Sequence, residues 1–152
     1  MTIIRLILLA ASLALFAGCS TTQDVVLVKA SGAKKVSTVA QMPESGNSSQ
    51  MDQNLRAALE KEGIAVKGSV PAGSQKSQDV DAVVSYVDVW RWDLAMYLRS
   101  LSVRLYDADT GDLLVMGNWS DSPMHGFRDA QVVVEGVVRE MLAKLRLAAQ
   151  AK

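Results

Sequence analysis

The chain has one cysteine, one histidine and three prolines in 152 residues, and its aromatics are few: three Trp, three Tyr and two Phe. A single cysteine rules out an internal disulfide framework, so stability has to come from packing. One histidine leaves no His pair for a metal site, and the sequence holds no nucleophile elbow and no phosphate loop. Neither sign of charge is in excess, with 16 basic and 16 acidic residues. That balance excludes the broad basic field by which a protein recruits nucleic acid. The apolar run at residues 6–17 is twelve residues long, short of the roughly twenty a spanning helix needs.

What is present at the N-terminus has three parts in the order of an export signal: a polar start carrying Arg5, the apolar run, and small residues before a processing point. The polar segment from Ser20 to Asp24 follows at once. The expectation is a cleaved signal at residues 1–18, which removes Arg5 and leaves the mature chain at one net negative charge. Leu15-Phe16-Ala17-Gly18-Cys19-Ser20 resembles the lipobox of bacterial lipoproteins, with the small pair Ala17-Gly18 before the cysteine and Phe16 where Leu is usual. The resemblance implies a lipid on Cys19, a short tether at residues 19–24 and one periplasmic domain at residues 25–148. Ser20 stands where an Asp favours the inner membrane, so the resemblance points to the outer membrane, periplasmic face. Several acyl chains are needed for a durable anchor, since one holds only marginally.

Along the mature chain, Val25-Val26-Leu27-Val28 suits a buried strand. Residues 31–50 carry Ser, Gly and Lys without a sustained period and predict loop, with Val36 and Val39 as a candidate minor strand. Met51, Leu55, Ala58 and Leu59 fall at helical spacing before Gly63, a C-cap glycine. Ile64-Ala65-Val66 reads as a strand and residues 68–78 as loop. Residues 80–89 are apolar on both parities and predict a central strand. Leu101, Val103 and Leu105 alternate with Ser102 and Arg104, which predicts one wet face. Residues 107–112 are turn chemistry before a returning strand at 113–119. Phe127, Ala130, Val134, Val137, Val138, Met141 and Leu145 form the stripe of a final helix. The expected fold is α+β: a mixed, mainly antiparallel sheet in the order strand-helix-strand-strand-strand-strand-helix, covered by the two helices.

The most distinctive string is Trp90-Arg91-Trp92-Asp93-Leu94-Ala95-Met96-Tyr97. It resembles the W-x-W-D-L-A-x-Y signature of a family of small proteobacterial lipoproteins, in which a helix like Ala57-Ala58-Leu59-Glu60-Lys61-Glu62-Gly63 precedes it and an acidic helix ends the chain. The resemblance implies envelope localisation and fold, and no activity. Trp90 and Trp92 share strand parity, with Arg91 on the opposite side. Two readings of the rings compete. They form a recognition platform together with Asp93 and Tyr97, or they cover one end of the core while Asp93 closes the turn. A domain with so few aromatics favours the core reading, with Trp92 the more deeply placed ring and Tyr97 pairing across the hairpin.

The acidic residues Asp107, Asp109 and Asp112 invite a calcium reading, but Gly111 comes one place early and no Glu stands at the bidentate position, so a hairpin turn is expected there. His125, with Asp121 and Ser122 nearby, offers the ingredients of a hydrolase without any spacing that implies the geometry. No catalytic residue, metal site or cofactor is assigned. The function expected is a lipid-anchored, non-enzymatic binding or assembly component: membrane partner through Cys19, a second envelope protein, no nucleic acid. The alternative is a small hydrolase built on the His125 loop.

Overall fold

In a computed structural model, the structure describes residues 21–28, 35–122 and 126–150. Residues 1–18, Cys19 and His125, which carry the signal, lipidation and hydrolase expectations, lie outside the described residues. The elements follow the order β1 (Thr22–Leu27), β2 (Thr38–Gln41), α1 (Ser49–Lys61), β3 (Ala65–Ser69), β4 (Ala82–Asp93), β5 (Ala95–Asp107), β6 (Leu113–Ser120) and α2 (Ala130–Gln150). The strands form one sheet in the order β1-β6-β5-β4-β2-β3. β1 with β6, β6 with β5 and β5 with β4 are antiparallel, whereas β2 runs parallel to both β4 and β3. The fold is the expected mixed, mainly antiparallel α+β sheet, with one further strand, because the candidate around Val39 is realised as β2. Asp81 explains that short strand. Its carboxylate accepts from the backbone N–H groups of Ser37 and Thr38 and from the Thr38 hydroxyl, each at 2.9 Å, which pins the start of β2 beside β4.

Both helices lie on one face. α1 starts at the N-cap Ser48, whose Oγ accepts from the Met51 N–H, and buries Met51, Leu55, Ala58 and Leu59. α2 buries Val133, Val134, Val137, Val138, Met141, Leu142 and Leu145 against Val84, Val103, Leu105 and Val115 of the sheet. Phe127 does not join that stripe: it precedes the helix with a φ of 47° and is half exposed. On the opposite face a smaller cluster of Ala40, Met42, Val80, Val83, Tyr106 and Ala108 covers one end only. Thus β4 is apolar on both sides over its first half, as its composition predicts, while Val87 on the second half is exposed.

α2 rests on β6 at a glycine. A Cβ on Gly117 would stand 2.6 Å from Val137 Cγ1 and 2.8 Å from the Met141 sulfur, so only a hydrogen fits there. Gly117→Ala is expected to lower stability by about 1 to 3 kcal/mol through overpacking. Urea unfolding checks it, and an unchanged midpoint would show that the helix shifts without penalty.

Candidate functional site

The octapeptide forms the end of one strand, a tight reversal and the start of the next. β4 runs through Trp92 to Asp93, Leu94 alone makes the reversal with a φ of 61°, and β5 begins at Ala95. The cross-strand partners are Trp90 with Leu98, Arg91 with Tyr97, Trp92 with Met96 and Asp93 with Ala95. Arg99 is the extra residue of a bulge, since Val89 pairs with Ser100 and the next pair is Trp90 with Leu98. The bulge changes the parity of β5. Leu101 faces the helices on one side of it and Leu98 on the other, so Trp90, Leu98, Trp92 and Met96 continue one face. The Arg99 guanidinium donates to the carbonyls of Asp121 and Ser122, tying the end of β6 to the hairpin base.

The two tryptophans part company along this face. Trp90 is half-buried against the core, and its Nε1–H donates to Asp88 Oδ2 at 2.5 Å. That buried carboxylate also accepts from the Ser48 hydroxyl at 2.6 Å, so Trp90 belongs to the polar contact that holds the start of α1 to β4. Beside it the fully buried Tyr86 donates its hydroxyl to Asp52 Oδ1 at 2.7 Å, and burial followed by that carboxylate pushes its ionisation far upward. Trp92 lies past the end of the helix cover and is 71% exposed, next to Met96 at 56% and Leu94 at 89%. The expected order of depth is therefore reversed. A one-residue turn carries the strands farther than an ordinary loop would, and the second ring leaves the core with them.

Asp93 is exposed at the apex but engaged in an interaction, so it is no free charge. Tyr97, on the opposite face, meets Phe127 edge to face, with ring centroids 5.8 Å apart and planes at 76°. This contact brings the segment before α2 up to the hairpin.

Trp90→Ala is expected to cost about 2 kcal/mol, roughly half the loss for a fully buried aromatic, while Trp92→Ala should stay within about 0.5 kcal/mol. Denaturant midpoints of the two variants measure the difference. A larger loss at Trp92 would contradict the depths described.

Elsewhere the chemistry is structural. Asp107 Oδ1 accepts from the backbone N–H groups of Asp109 at 2.8 Å and Thr110 at 3.3 Å, and Gly111 has a φ of 79°, so the acidic run forms the hairpin turn expected. Among the described residues, no group of three or more His, Cys, Asp or Glu is gathered as a metal would require. Asp121 is buried, with Oδ1 accepting from the Ser122 N–H at 2.9 Å. A cleft of about 430 Å³ between Val36, Ile64, Leu142 and Leu145 lies by the C-terminal part of α2, away from the octapeptide, and is flanked by Arg146, which pairs with Glu62 at 3.1 Å. Among the described residues no helix is long and apolar enough to cross a membrane.

The fold and site define a small α+β domain with an open sheet and a projecting apolar hairpin. No protein-family model and no curated protein matches the sequence. Among solved structures the chain is similar to a PelC dodecamer from Paraburkholderia phytofirmans, with a TM-score of 0.52 and 17% identity over 83% of this chain and 97% of that one. A single-substitution variant of the same PelC aligns with a TM-score of 0.48 and 16% identity over the same shares. At this identity the first likeness is one of fold.

Proposed function

We propose that the chain is a lipid-anchored component of the bacterial envelope, held through an acylated Cys19 on the periplasmic face of the outer membrane, with a non-enzymatic binding or assembly role. The observation that carries the reading is the hairpin apex, which leaves Trp92, Leu94 and Met96 exposed where folding makes no use of them. Trp90 fixes the base of the hairpin, Tyr97 props its other face against Phe127, and Trp92 with Asp93 stands at the contact surface. Exposed aromatics of this kind contribute little to folding and much to association.

The rival reading, a hydrolase using His125 with Asp121 and Ser122, is separated by complementation. In cells lacking the chromosomal copy, Trp92→Ala should lose function while remaining folded and membrane-bound, and His125→Ala should retain it. The opposite pattern would favour the hydrolase.

A further inference from the structure

We infer that the hairpin apex is a second membrane contact, dipping into the same lipid surface that holds Cys19. The inference rests on the lipid anchor proposed above and names the partner of the apex. Three strand pairs place the start of β1 and the hairpin at one end of the sheet: Thr22 is opposite Ser120, Ser120 opposite Ser100, and Ser100 opposite Val89. This row crosses four strands: β1 begins at it, and the extension from Trp90 to Leu98 leaves the sheet beyond it.

The reach of each is set by backbone geometry. Three residues of chain separate Cys19 from Thr22, a length that can span at most roughly 11 Å. Leu94 is five residues past Val89 along a strand, which carries the apex about 16 Å out. A lipid surface that holds Cys19 is thus within reach of the apex.

α2 points the same way. Gln23 donates to Glu140 at 2.7 Å and Lys144 to the Val25 carbonyl at 2.6 Å, so the helix runs parallel to β1 and its first turn overhangs the same end. Val132 in that turn is exposed, as is Phe127 just before it. The other large exposed apolar residues described, Val26, Val28, Val87 and Leu147, lie elsewhere. The apex end therefore combines Trp92, Leu94, Met96, Phe127 and Val132 with the exposed cations Arg91 and Arg128. Indole rings settle at the headgroup level, aliphatic tips below it, and arginines bind anionic headgroups. The acidic groups of this end are Asp93, already engaged within the protein, and Asp129, whose Oδ1 accepts from the Gln131 and Val132 N–H groups at the start of α2.

Leu94 supplies an independent sign. Its backbone is left-handed, where Gly or Asn is at ease and a leucine is strained. A leucine there satisfies neither turn geometry nor packing, whereas lipid would accept its side chain.

The test uses the full lipidated protein reconstituted in vesicles of phosphatidylethanolamine and phosphatidylglycerol, with and without acyl-chain bromination. Brominated lipid is expected to quench a tryptophan component that disappears in Trp92→Phe, while Trp90 and the buried Trp119 serve as internal references. Leu94→Asn keeps the left-handed backbone and should reduce the quenching several-fold without lowering the melting temperature. The mass of the same sample reports the lipid on Cys19. Acylated Cys19 with no quenching at Trp92 would overturn the membrane contact and leave the anchor standing; an unmodified Cys19 would remove both. Photocrosslinking from position 92 in cells should capture phospholipid, and capture of a protein there would overturn the inference.

Discussion

Val138→Asp should remove several kcal/mol of stability and lower the melting temperature sharply. Val138 is buried in α2 and lies with Leu59, Val84, Val103 and Leu105, where the two helices meet the centre of the sheet. These neighbours are hydrocarbon, so a carboxylate placed among them finds no hydrogen bond and must either stay charged in an apolar site or take up a proton. An uncompensated buried charge costs about 3 to 5 kcal/mol, against a typical domain stability of roughly 5 to 15 kcal/mol. Val138→Ala is the control. It removes two methyl groups without adding charge and should cost only about 1 to 2 kcal/mol. Thermal melts followed by circular dichroism measure both, and a Val138→Asp variant that melts like wild type would mean α2 is not docked on the sheet.

The second large effect is expected at the other end of the molecule. Cys19→Ser removes the sulfur that the proposed anchor would acylate, so labelled fatty acid should no longer enter the protein, and the chain should be released as soluble or remain unprocessed. The effect is nearly all or none because the apex alone offers only a few apolar side chains, whereas several acyl chains make an anchor durable. Unchanged membrane retention of a Cys19→Ser chain from which residues 1–18 have been removed would mean the chain is held by something other than a lipid at that position.

The helices were legible because their apolar residues recur every three or four positions: Met51, Leu55, Ala58 and Leu59 in one, and Val134, Val137, Val138, Met141 and Leu145 in the other. The turn at 107–112 was legible for a different reason, since Asp and Gly supply the side-chain cap and the positive φ it needs. The turn at Leu94 has an aspartate beside it, expected to close the turn, but no glycine for its positive φ. Asp93-Leu94-Ala95 contains no glycine, asparagine or proline, so nothing local showed that the strands run through both tryptophans to a single reversing residue. The octapeptide was therefore picked out by composition while the depths of its rings came out reversed. Trp90 is fixed by Asp88 and Ser48, and that pairing depends on which residue of β4 reaches the N-cap of α1. Phe127 fell at helical spacing but lies outside α2, because spacing alone does not locate a helix start. β2 was only a candidate since four residues carry little pattern, and its support comes from Asp81, some forty residues away in sequence. The meeting of the start of β1, the hairpin apex and the start of α2 at one sheet end is a property of strand order, which no single segment encodes.

The intact mass of the protein extracted from outer-membrane fractions tests the anchor most directly. The expected species begins at Cys19, lacks residues 1–18 and carries acyl groups on the cysteine. A species with any other N-terminus, or with an unmodified Cys19 thiol, would contradict it.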